Sequence, residues 1–230
     1  MVDDQLALAA QLAGVARELM DAGDVTATLQ RMVELAVETI DGCDHAGISL
    51  TVGTETTTSA QSDDVPGRID LIPSDGDDGS YRDDVRDHEL FSSGDLSREE
   101  RWQRFFAEVV ASTPVRSILA MRLFVEGDTL GTLNLYAGSV DAFGDEGREV
   151  AAIFAAHAAI ALQTAQREEQ LAEEVVGDDV DAISRAKGLV MGERAVDEPA
   201  AQNALEDAAD RSHRTVREVA DEVNARNRDH

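Results

Sequence analysis

Near the carboxyl terminus of this 230-residue chain, cationic side chains gather at a spacing that suits phosphate chemistry. Lys187 is the only lysine, and it lies in Ile183-Ser184-Arg185-Ala186-Lys187-Gly188-Leu189-Val190-Met191, where apolar residues recur at helical spacing beside a basic flank. Arg185, Lys187 and Arg194 fall on that helix, and Arg211, Arg214 and Arg217 follow around the start of a later one. Lys and Arg neutralise the phosphates of a polyanion and release its counterions. The set therefore predicts a phosphate clamp, with His213 placed to add an edge contact. The net charge of −27 opposes polyanion binding on average, but it is unevenly spread. Residues 181–230 carry eight basic and eleven acidic side chains, a net −3, which leaves −24 on the first 180. A polyanion site fits the nearly neutral last fifth and nowhere else.

Other chemistries find less support. Cys43 is the single cysteine, so no intrachain disulfide forms. Its setting, Asp41-Gly42-Cys43-Asp44-His45, is acidic and lacks the positive field that activates a thiolate, so it reads as a buried small residue at a strand start. Asp75 and Asp77 match the opening of an EF-hand loop. However, Gly79 and Ser80 stand where an oxygen ligand and the turn glycine belong, and Arg86 stands at the closing carboxylate position, so no metal site is expected. Neither paired carboxylates in a pocket pattern nor a nucleophile–base pair is present, and the chain is not expected to be an enzyme. It has no apolar run approaching ~18 residues and no basic-plus-apolar leader, which predicts a soluble, cytoplasmic protein without membrane contact.

The elements that must position these residues follow from periodicity. Two helices are expected over 3–22 and 25–40, the second capped by Asp24, and then a sheet over about 45–137. Ile48, Leu50 and Val52 alternate with Ser49 and Thr51, and Thr54–Ser59 suits a paired strand after a Gly53 turn. Residues 62–88 read as a long loop region. Ser97-Arg98-Glu99-Glu100 reads as a capping box opening a helix with Trp102, Phe105, Phe106, Val109 and Val110 in the core. Strands 115–125 and 130–137 are joined at the turn Glu126-Gly127-Asp128. From 145 a long alanine-rich helix begins, with small residues on a stripe broad enough to pack against a twin, and His157 reads as a hydrogen-bonded core or interface residue. Three short helices end the chain: 180–194, a second capped by Asp197 with Pro199 in its first turn, and a third opened by the box Thr215-x-x-Glu218.

On these residues the chain resembles the bacterial GAF-ANTAR regulators over nearly its whole length. Cys43–Leu50, Arg101-Trp102, Val115–Leu119 and Leu130–Ala137 with Phe143 look like a GAF sensor half. Ile183-x-x-Ala186-Lys187-Gly188-x-x-Met191, Ala201, Leu205, Ala209 and Val216–Ala220 look like an ANTAR three-helix module. The resemblance implies an α+β fold: a GAF-like antiparallel sheet with flanking helices in residues 1–165, a helical connector over 166–179, and an ANTAR-like module over 180–230. It implies a homodimer paired through the long helix, 145–172, and transcription antitermination by binding paired hairpins in nascent RNA under control of the sensor half. Arg185, Lys187, Gly188, Arg194, Arg211, His213, Arg214 and Arg217 are then the RNA-binding residues.

Where the family usually has an aromatic and an arginine on the second helix, this chain has Gln202 and Glu206, and no aromatic lies beyond Phe154. Stacking, worth about 1–3 kcal/mol per base, must then come from Arg or His planes. This departure keeps open an alternative in which the C-terminal helices dock a protein partner instead of RNA. The Asp-rich loop also replaces the Gly-Glu-Gly-Pro-Cys stretch of many relatives, and there is no haem-type Cys-x-x-Cys-His. No cofactor is evident, and an unidentified small molecule is the ligand to expect in the sensor half.

Overall fold

Asp24 ends the gap between the first two helices by accepting the Ala27 N–H at 2.8 Å, which satisfies one of the amides a helix start leaves open. The computed structural model describes residues 2–52, 55–73, 89–125 and 128–227. In it α1 spans Val2–Met20 and α2 spans Val25–Thr39. Five antiparallel strands follow: β1 His45–Val52, β2 Glu55–Gln61, β3 Leu90–Ser93, β4 Ser117–Val125 and β5 Asp128–Ala137, in the order β2-β1-β5-β4-β3. Strand alternation sends Leu119, Met121, Leu123, Leu133 and Leu135 to one face, where they meet α1, α2 and the start of a long helix. Ile118, Ala120 and Tyr136 go to the other face, against Phe91, Trp102 and Phe106. Gly131 lets β1 and β5 approach, since a Cβ there would lie 2.3 Å from the Ser49 carbonyl oxygen.

Two local expectations are corrected. Residues 62–88 do not form loop throughout: Asp63 accepts the Val65 N–H at 2.8 Å and opens α3, Asp64–Asp70, because Val65 and Ile69, one turn apart, bury against the sheet. The EF-hand-like residues Asp75, Asp77, Gly79, Ser80 and Arg86 lie outside the described residues, as do Gly53, Glu126 and Gly127. Ser97 opens no α-helix. Asp95 caps a 3-10 turn, Leu96–Arg98, by accepting the Ser97 N–H at 3.0 Å, and Glu99 pairs with Arg101 at 2.9 Å. The helix α4, Gln103–Ser112, starts later, from Trp102 in the left-handed region at φ 52°. Burial of the Trp102 ring, 5.6 Å from Phe91 and 6.2 Å from Phe106, outweighs the about 1–2 kcal/mol that this backbone costs.

The long helix α5 is continuous over Asp145–Arg194, 50 residues, so the connector and the first C-terminal helix are one element. Ala151, Ala155, Ala158, Ala159 and Ala161 are buried in the core of the first unit. The stripe expected to face a twin is thus largely consumed within the fold, and a narrower one remains exposed. His157 donates its Nδ1–H to the Ile153 carbonyl, 2.8 Å away, as a half-buried helix residue.

By its contacts the chain forms two compact units, 1–167 and 168–230. In the second, α6 Glu198–Ser212 is capped by Asp197, and α7 Val216–Arg226 opens with the Thr215–Glu218 capping box. Ala186, Val190, Ala201, Leu205, Ala209, Val219 and Ala220 make its core.

Candidate functional site

The three helices of the second unit carry the expected cations, and carboxylates meet several of them. Lys187 Nζ donates to Glu198 Oε1 at 2.8 Å, which holds the Glu198 carboxyl below its usual range. Arg217 sits between Asp221, at 2.9 Å, and Asp179, and these partners raise its already high affinity for the proton, Asp221 foremost. Arg214 Nη1 meets Glu222 Oε2 at 2.6 Å, and Arg226 takes the other oxygen of the same carboxylate. Among the described residues, Arg185, Arg194 and Arg211 form no ion pair; Arg185 reaches only the Asp181 carbonyl of its own helix, at 3.4 Å. His213 ends α6 in the left-handed region at φ 53°, exposed to solvent.

The single clamp read from the sequence is therefore divided. Lys187 turns to the start of α6, and Arg217 turns to the part of α5 around Asp179. Arg194 and Arg214 come together at the rim of one cavity of about 260 Å³ between α5, α6 and α7, and Arg226 joins them. Arg226 is not among the residues the motif singles out, although Val219, Glu222, Val223 and Arg226 repeat at the three-to-four spacing of one helix face. Gly188 is exposed, and a Cβ there would meet nothing within 4 Å, so the protein itself does not demand glycine.

The first unit offers a different site. Between β1, β2 and α3 lies a cavity of about 480 Å³ lined by Ser49, Thr57, Thr58, Ser59, Gln61 and Asp70. Asn134 Nδ2 donates to Ser49 Oγ at 3.4 Å, and Thr58 Oγ1 donates to Asp70, so hydroxyls and one carboxylate set its character. Next to it His45 Nδ1 lies 2.6 Å from Asp63 Oδ2, tying the start of β1 to the cap of α3. Burial pushes the Cys43 thiol up to about 12, so it stays a protonated, inert small residue. Iodoacetamide at pH 8 is expected to leave Cys43 unmodified in the native chain and to alkylate it once denaturant unfolds the first unit; stoichiometric native labelling by mass spectrometry would contradict this. Among the described residues no three His, Cys, Asp or Glu side chains gather to hold a metal, and no helix is long and apolar enough to cross a membrane.

Comparisons with known proteins agree with this geometry. The model of the GAF domain family matches residues 22–163, and that of the ANTAR domain matches residues 165–223. No curated protein matches the chain. Among solved structures, the GAF domain of an Acinetobacter phosphoenolpyruvate-protein phosphotransferase is similar at a TM-score of 0.56 and 14% identity, covering 71% of this chain and 98% of that one. The GAF domain of a Coxiella burnetii phosphoenolpyruvate-protein phosphotransferase is similar at a TM-score of 0.55 and 14% identity, covering 71% and 96%. The chromophore-binding domain of the R. palustris bacteriophytochrome RpBphP3 is similar at a TM-score of 0.55 and 11% identity, covering 72% and 63%. At these identities the likeness establishes the fold of the first unit. With a GAF domain over most of its length and an ANTAR domain directly after it, the chain belongs to the GAF-ANTAR regulators.

Proposed function

We propose that the chain is a signal-responsive transcription antiterminator that binds paired RNA hairpins as a homodimer. The observation that carries this reading is the rim of Arg194, Arg214 and Arg226 on an ANTAR fold, a local cationic excess on a chain of net charge −27. Arg185, Lys187, Gly188, Arg211, His213 and Arg217 complete the proposed RNA-binding set, with the ion-paired members exchanging a carboxylate for a phosphate. In the sensor half, the hydroxyl-lined cavity with Asp70 suits a small hydrogen-bonding ligand, neutral or cationic.

The dimer contact proposed lies on the first part of α5. Residues 150–166 contain no Asp, Glu, Lys or Arg, in a chain that is 29% charged. Ile153 and Ile160 are 42% and 53% exposed on that segment, and Ala152 and Ala156 border a hollow shared with Leu90 and Phe124. Two copies of so acidic a chain can approach at an uncharged face with the least repulsion. A ligand that alters this pairing would alter the spacing of two RNA-binding modules. Ile160→Asp is expected to convert the dimer to monomer in sedimentation and to weaken binding to two-hairpin RNA while leaving single-hairpin binding unchanged.

The direct test is selection of the full chain against a pool of two-hairpin RNAs with randomised loops at low salt. Enrichment of related loops bound in a salt-sensitive way supports the proposal; no enrichment and no salt-sensitive binding refutes it. The pairing of Lys187, Arg214 and Arg217 with carboxylates favours a second reading, in which the module docks a protein. A partner retained from nuclease-treated lysate, together with failure of the RNA selection, would favour that one.

A further inference from the structure

Resting on the RNA-binding reading above, we propose that the cavity between α5, α6 and α7 seats one unstacked RNA base that presents an exocyclic amine, with its flanking phosphates held by the arginines of the rim. The floor is apolar: Val190, Leu205 and Val219 are 5%, 2% and 7% exposed. Ala204 and Ala208, one turn apart on α6, leave the hollow open above them. At about 260 Å³ it lies below the about 300–1,000 Å³ of sites for drug-sized ligands, and it is too small for a partner's helix. A flat ring with charge on either side is the occupant that matches a single apolar hollow ringed by cations.

The rim sets the chemistry further. Three guanidiniums and one carboxylate, Glu222, give it a local excess of two positive charges. Each Glu222 oxygen is held by one arginine, Oε2 by Arg214 at 2.6 Å and Oε1 by Arg226. Hydrogen bonding from Arg214, and then the charge of Arg226, keep the Glu222 carboxyl below its usual range, so it remains an acceptor. A carboxylate has about four lone-pair sites, and two remain after the arginines are served. Those accept an amine of adenine, cytosine or guanine and oppose the carbonyl edge of uracil. Among the described residues Arg194 has no ion pair, so its guanidinium plane can cover the ring in a unit that has no aromatic. An acidic peptide would meet Glu222 inside the cation ring, which makes it the poorer occupant.

The experiment uses the full chain and the hairpin RNA obtained from the selection, with 2-aminopurine in place of each loop base in turn. One loop position is expected to brighten on binding as it leaves its neighbours. Ala208→Leu, which fills the hollow, should abolish that brightening and weaken binding on the order of ten-fold with the salt dependence unchanged. Arg226→Gln, at a 76% exposed side chain that folding does not need, should make the slope of log affinity against log salt shallower by about one. Uridine at the responding position should weaken binding as Ala208→Leu does. If RNA binds Ala208→Leu as tightly as wild type and no position brightens, the base seat is wrong while RNA binding stands. If oligoglutamate binds the chain as tightly as the RNA and Ala208→Leu abolishes that binding, the cavity is a peptide site and the base seat is wrong. If the wild-type chain binds no RNA from the pool, both proposals fall together.

Discussion

Lys187→Glu is expected to weaken binding to two-hairpin RNA by at least roughly ten-fold at low salt, and Glu198→Gln to strengthen it. Lys187 Nζ lies 2.8 Å from Glu198 Oε1, so a phosphate must compete with a carboxylate for the chain's one lysine. The pair is not arranged symmetrically. Lys187 is 21% exposed and Glu198 66% exposed, so the carboxylate can swing into solvent while the ammonium stays where an approaching phosphate would replace it. Glu198 also occupies the first turn of α6, where the helix dipole favours negative charge. Its carboxyl is held below the usual range by Lys187, so mild acidification leaves it ionised and does not release the lysine. Removing the charge requires Glu198→Gln. Reversal at Lys187 instead sets two carboxylates together and adds repulsion to every phosphate nearby. Filter binding over a salt series separates the outcomes: Lys187→Glu should flatten the salt dependence by about one to two in slope, and Glu198→Gln should steepen it. The exchange variant Lys187→Glu/Glu198→Lys restores the ion pair, so recovery of RNA binding in it would reduce Lys187 to a purely structural role. Unchanged binding by Lys187→Glu would exclude it from the interface.

Residues whose role depends on local chemistry were legible in the sequence, and those whose role depends on distant packing were not. Asp24, Asp197 and the Thr215–Glu218 box cap the helices they were expected to cap, because capping needs only neighbours three residues apart. The alternation of Ile48 and Leu50 with Ser49 in β1 likewise places the apolar pair against the core. Ser97 failed as a cap because the chain there obeys Trp102, whose ring is anchored by Phe91 and Phe106 from other elements. The alanines of α5 were assigned to a twin because periodicity shows that a face is apolar without showing which surface covers it; α1, α2 and the sheet cover most of that face. At the site, the sequence supplied the cations but not their partners. Asp179 and Arg217 are 38 residues apart, and Lys187 and Glu198 are 11 apart, separations at which composition predicts only an average charge. Arg226 was missed because its value arises from sharing Glu222 with Arg214.

Phe154→Ala and Leu205→Ala are expected to destabilise different halves of the molecule. Phe154 is fully buried where α5 crosses α1, α2 and the sheet, and truncation of such a ring costs about 3–5 kcal/mol. Trp102, the only tryptophan, lies on the opposite face of the same sheet, so its fluorescence reports the loss even though it does not touch the mutated site. Both faces hang on β4 and β5, whose residues alternate between the two clusters, and a sheet cannot keep one covering without its strands. The denaturation midpoint read at Trp102 should therefore fall sharply in Phe154→Ala. Leu205 belongs to the other core, in which most of the remaining buried residues are alanines and valines. Its truncation removes about 2–5 kcal/mol from a unit of ~60 residues, whose whole stability is of the same order. Helical circular dichroism should then drop in part at 25 °C in Leu205→Ala while the Trp102 transition stays in place, and RNA binding should be lost with the helical signal. The separation follows from two cores that share no side chain: Ala151, Phe154, Ala158 and Leu162 of α5 belong to the first, and Ala186 and Val190 belong to the second. A Trp102 transition that moved with Leu205→Ala would mean instead that α5 transmits stability between the units, the same property a signal passing from sensor to RNA-binding module would require.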